Sequence, residues 1–131
     1  MLRVVIIAAF FMHGMAHLSG FFASWTASTA GFSERPWVLS ASVTMHSGVG
    51  RVFGLLWLLA AIGLLGTALG LATQQPWWPM LGVLAAAVSL VAIVPWWNTV
   101  PPGAKVGAVF DLIVVVALLF PWRDQIIGAV Q

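Results

Sequence analysis

The sequence predicts an all-α protein in which four membrane-spanning helices form an up-and-down bundle behind a long first loop. Three observations predict it. Long apolar segments recur four times, each close to the ~20 residues that cross ~30 Å of hydrocarbon. Of 131 residues, 62% are hydrophobic and only 6% are charged, against about 25% charged in an ordinary soluble domain. Trp and Pro cluster where those segments end, as they do at membrane–water boundaries. The chain is one integral membrane domain, 1–131, short enough for one bundle and no more.

The first span, 2–23, is LRVVIIAAFFMHGMAHLSGFFA. Arg3, the apolar stretch and the small residues Ser28 and Ala30 resemble a signal peptide. The polar MHGMAH interruption argues instead for a retained helix. The second span, 50–72, is rich in glycine, with Gly50-xxx-Gly54 and Gly66-xxx-Gly70 as small-residue faces that admit close helix approach. A polar break, Thr73-Gln74-Gln75-Pro76, precedes the third span, 77–97, where Pro79 falls in a first turn that tolerates proline. Trp77, Trp78, Trp96 and Trp97 bracket that span as an interfacial belt, and Trp122 closes the fourth, 103–122. Pro95 bends or ends span three, Gly103-xxx-Gly107 opens span four, and a short tail follows Pro121. Short connections after spans two and three make neighbours antiparallel and put both termini on one side.

The loop 24–49 is the one long connection. Leu39, Ala41, Val43 and Met45 alternate with Ser40, Ser42, Thr44 and His46, a period-two strand signal. Residues 25–30 could pair with it as a short β-hairpin; an irregular Ser/Thr-rich loop is the other reading. Arg35, Arg51 and Lys105 lie on the long-loop side against Arg3 and Arg123 on the other, too even a balance for the positive-inside rule to orient the bundle.

Function is read from polar groups that hydrocarbon disfavours. His13 and His17 lie four residues apart, one turn apart on one helix face. Asp111 lies well inside span four. It is about eight residues, roughly 12 Å, from the long-loop side, and His17 about six residues, roughly 9 Å, from the same side. The matched depth predicts that His17 and Asp111 are coupled, with His13 one turn deeper. His46, Arg51 and Lys105 fall on this same half. The six define a candidate ligand-binding site, and intramembrane ionisable residues are functional candidates by default.

Several occupants fit these residue types. Two histidines and a carboxylate (His13, His17, Asp111) match a divalent metal. A haem would need His46 or a second subunit, because ligands four apart on one helix point the same way. A lipophilic ligand such as a quinone, isoprenoid or lipid could use the polar groups as a pocket floor, and a His–Asp pair can also relay protons. A purely structural role stands beside these: Asp111 holding span four against span one, Arg51 and Lys105 snorkelling to headgroups, Ser89 and Thr67 satisfied by their own helices' carbonyls. The absence of cysteine removes thiolate metal sites and dithiol cycles. The net charge of +2 is scattered and offers no nucleic-acid surface. The partners implied are the bilayer and a second copy or a larger membrane complex. No catalytic constellation names a reaction.

In length, in its four spans, in the early Arg3, in the Gly14-xx-His17 step and in the glycine-rich second span, the chain resembles small bacterial DoxX-like four-helix membrane proteins. The likeness runs along the whole chain at the level of topology. Span two here carries no carboxylate, and the Ser/Thr-rich first loop is longer. The resemblance implies an accessory or quinone-linked component of a bacterial inner (cytoplasmic) membrane, with no catalytic residues to carry over.

Overall fold

The computed structural model describes residues 1–130 and is all-helical in its regular elements. In order they are α1 (Leu2–Trp25), α2 (Gly48–Ala72), α3 (Trp78–Ile93), a 3-10 turn (Val94–Trp96), α4 (Pro102–Leu119) and α5 (Arg123–Val130). Four stretches are long and apolar enough to cross a membrane: Leu2–Trp25, Gly48–Ala72, Trp78–Trp96 and Pro102–Leu119.

Local chemistry sets the ends. Ser47 caps α2, its hydroxyl accepting from the Gly50 N–H at 3.2 Å. The α2 C-terminus closes with paired bonds, Gln75 N–H to Gly70 C=O (2.8 Å) and Gln74 N–H to Leu71 C=O (3.2 Å). That pattern needs a left-handed residue after the cap, and Gln74 takes it at φ 56°. Pro79 and Pro102 sit in first turns, and Pro95 tightens the end of α3 into the 3-10 turn.

The helices run up-down-up-down. Arg3 Nη2 donates to the Ala72 carbonyl (2.6 Å) at one end of the α1–α2 pair, and Trp25 Nε1 to the Arg51 carbonyl (3.1 Å) at the other. Small residues seat the contacts. The Gly20 Cα meets the Trp57 ring so closely that any Cβ there would lie 2.2 Å from it. Gly54 packs on Ser24 and Trp25, and Gly70 on Trp77 and Trp78. Large apolar side chains such as Val5, Phe11, Leu59, Ile62, Val109 and Ile113 point outward. The buried polar residues are His17, Ser24, Thr67, Ser89, Thr99 and Asp111. An apolar exterior around a partly polar interior is what a lipid-facing surface requires.

The tail after Pro121 is helical and packs back on the bundle. It forms α5, whose Ile126, Ile127 and Val130 close over a cluster containing Phe10, Trp78 and Leu118. The Trp belt needs a correction too. Trp77, Trp97 and Trp122 are exposed, but Trp78 and Trp96 are core residues. Trp96 lies under the first loop, stacked 6.0 Å from Trp37 and edge-on to Phe53 at 5.8 Å.

The loop between α1 and α2 contains no strand among the described residues; it is a chain of turns. The hairpin reading fails for want of a partner. α1 runs on to Trp25, and residues 26–30 are taken by hydroxyl turns, Ser28 N–H to Thr26 Oγ1 and Ala30 N–H to Ser28 Oγ. The alternating stretch does not present one apolar face: Met45 is buried while Leu39 is exposed. The loop bonds instead to the α3–α4 connection, through Ser33 N–H to Thr99 C=O (2.9 Å), Asn98 Nδ2 to Pro36 C=O (2.9 Å) and Thr99 Oγ1 to Arg35 C=O (2.9 Å). Phe32 and Met45 then pack with Trp57, Ile93 and Val100, capping one end of the bundle.

Candidate functional site

α1, α3 and α4 each deliver a polar side chain to one point in the bundle. His13 Nε2 meets Asp111 Oδ1 at 3.0 Å. His17 Nε2 meets Ser89 Oγ at 2.6 Å, and the Ser89 hydroxyl donates to Asp111 Oδ2. His17 Nδ1 donates to the backbone carbonyl of His13 at 3.0 Å. Asp111, Ser89 and His17 are buried, whereas the His13 side chain keeps 11% of its surface exposed.

Small residues make room for this. A Cβ on Gly107 would lie 2.3 Å from His13 Cε1, so the His13 ring occupies the notch that Gly107 leaves one turn before Asp111. Gly103-xxx-Gly107 is therefore not a helix-packing face: a Cβ at Gly103 would meet nothing within 4 Å, and Gly107 receives a side chain. The two imidazoles sit edge to face at 4.5 Å, His13 is edge-on to Phe110 at 5.3 Å, and Trp57 lies 5.1 Å from His17.

Ser89 thus bridges His17 to Asp111, and with the His13–Asp111 contact and the bond from His17 to the His13 carbonyl it closes one chain of hydrogen bonds in which each polar residue has a partner, as a low-dielectric interior requires. The circuit begins and ends on α1, and on its terminal side Phe10, Leu64, Leu71, Trp78 and Leu118 form an apolar cluster.

The expected coupling of His17 to Asp111 is present as a bridged contact, and the direct contact lies one helical turn away. His13 makes the direct contact, and His17 reaches the carboxylate through Ser89. Equal depth along two helices does not fix their relative rotation, and the Gly107 notch decides it. Ser89 does not turn back to its own helix, as expected of it, although Thr67 does, bonding Gly63 C=O at 2.8 Å. Ser89 was legible as a site residue in one respect: it is the lone hydroxyl in an otherwise apolar span three.

The other three candidates sit at the long-loop end, apart from this cluster. His46 Nε2 bonds the Thr26 carbonyl at 3.0 Å. The Arg51 guanidinium lies 5.8 Å over Trp25, and Lys105 Nζ 5.2 Å over Trp97. Of the residue types that ligate metals, His13, His17 and Asp111 converge, with one ligand atom from each inside a 4.8 Å span.

Beside the pair lies a cleft of about 120 Å³. It is lined by His13, Ala16 and His17 of α1, Trp57 of α2, and Pro101 and Gly103 at the start of α4. The Trp57 indole N–H is buried and has no partner.

The fold and site define a small polytopic membrane protein with a buried His/Ser/Asp centre. Comparison with protein-family models, with curated proteins and with solved structures returned no match.

Proposed function

We propose that this protein binds the polar head of a lipophilic molecule, of the quinone, isoprenoid or lipid class, beside the His/Asp centre. It does so as an accessory component of a bacterial inner membrane, like the DoxX-like proteins its sequence resembles, and works as a homo-oligomer or within a larger complex. One observation carries the reading: a cleft walled by Trp57 opens onto His13 and His17, the imidazoles of the polar centre. At about 120 Å³ the cleft suits a single head group, with the apolar tail lying along the lipid-facing helices.

Solvent extraction of protein purified in mild detergent, followed by mass spectrometry, tests this. A quinone, isoprenoid or lipid is expected at a fixed ratio to protein, and a short-chain quinone should quench tryptophan emission saturably. Folded wild-type protein with no stoichiometric ligand and no saturable quenching would leave a scaffold role, with the polar centre serving only to hold α1, α3 and α4 together.

A further inference from the structure

We propose that His13, His17 and Asp111 form a site for one divalent first-row transition-metal ion, reached through the cleft beside α1. The inference is independent of the lipophilic ligand, because it rests on the ligand atoms and not on the cleft's apolar walls.

Geometry comes first. Metal–ligand bonds of ~2.1 Å in a tetrahedral shell put ligand atoms about 3.4 Å apart. His13 Nε2 and Asp111 Oδ1 are already 3.0 Å apart. All three ligand atoms lie within 4.8 Å, so the widest edge must shorten by about 1.4 Å at most to reach that spacing. The two histidines are one turn apart on α1, and the carboxylate is on α4, so the set is pinned by two helices.

The surroundings already do what a metal site's outer shell does. His17 Nδ1 donates to the His13 carbonyl, which fixes the ring and reserves Nε2 as the ligand atom. Ser89 now fills the gap between His17 and Asp111. A cation would displace that bridge, and Ser89 has an alternative of the kind that two other buried hydroxyls use: Ser24 and Thr67 bond carbonyls one turn back on their own helices. Two imidazoles and one carboxylate favour Zn²⁺, Fe²⁺ or Co²⁺ over Mg²⁺ or Ca²⁺, which prefer all-oxygen shells. Three protein ligands leave further coordination positions open. The cleft lies against both histidines and gives those open positions a route to the outside.

The experiment uses metal-free full-length protein in detergent and Co²⁺ alone. One Co²⁺ per chain is expected, with visible ligand-field bands that Zn²⁺ abolishes by competition. Asp111→Asn should weaken binding at least about 100-fold, the upper end of what outer-shell changes alone do. Ser89→Ala should bind as tightly as wild type or more so, because its hydroxyl is displaced and does not ligate. X-ray absorption of the Zn²⁺-loaded wild type should show imidazole scattering, and this reading needs no variant to fold. No saturable Co²⁺ binding by the wild type overturns the proposal, and so does zinc without imidazole in its shell. Binding retained in Asp111→Asn, or lost as far in Ser89→Ala as in Asp111→Asn, overturns the ligand set.

Discussion

Replacing Gly107 with alanine tests the site without altering any polar group. The new methyl would lie 2.3 Å from His13 Cε1 and 2.9 Å from Nδ1. Ordinary van der Waals contact begins near 3.4 Å, so the ring must retreat by about 1.1 Å, the difference between 3.4 and 2.3 Å. The His13–Asp111 contact, now 3.0 Å, then stretches toward ~4 Å, beyond hydrogen-bond range. Overpacking costs about 1–3 kcal/mol, and a membrane-buried side-chain hydrogen bond adds about 0.6 on average and 1.7 at most. Alanine recovers up to ~1 kcal/mol of helix propensity. The expected net loss is about 1–3 kcal/mol, read as a lower midpoint when helicity is followed through an SDS titration in mixed micelles. Gly103→Ala is the control, since a Cβ there would meet nothing within 4 Å; it should be neutral or slightly stabilising. In a His13→Ala background, Gly107→Ala should lose most of its cost. Equal midpoints for the two glycine variants, or a full penalty that survives removal of the His13 ring, would refute the notch.

Three further outcomes follow from the same structure. His13→Leu and Asp111→Leu should each destabilise the protein, and together by less than their sum, because the second change removes the group that the first left unpaired; strict additivity in the same titration would disprove the pairing. Gln74→Gly should raise stability by about 1 kcal/mol, since Gln74 holds a left-handed conformation that glycine adopts without steric cost; an unchanged or lower midpoint would count against the closing motif of α2. Single cysteines at Ser28 and Gln75 should label from opposite sides of a sealed vesicle, and labelling from one side alone would overturn the up-down order.

Span number and order were legible because hydrocarbon imposes a length and a composition that no neighbouring helix can override. The convergence of His13, His17 and Asp111 was legible from depth alone, because rise per residue is constant along a helix. Rotation about the helix axis was not. Whether His13 or His17 touches Asp111 depends on the Gly107 notch, which has no signature distinguishing it from the many glycines that pack helices. Ser89 looked like any hydroxyl satisfied by its own backbone. The alternating stretch from Leu39 to His46 has strand periodicity, but periodicity cannot reveal that residues 25–30 are already committed to a helix end and to hydroxyl turns. Trp96 and Trp78 were misplaced for a related reason: an indole at a span's end becomes core when a loop or a terminal helix folds back over it.

The hydrogen bonds between the first loop and the α3–α4 connection join parts of the chain made far apart in time. Synthesis delivers α1 and α2 first, and at that stage both imidazoles lack the partners that Ser89 and Asp111 later supply. The loop likewise cannot close until residues 98 and 99 have emerged to meet it. Only the arrival of α4 completes the circuit inside the bundle and the clasp outside it. An unfinished chain therefore lacks both the side-chain partners of its two imidazoles and the clasp on its first loop.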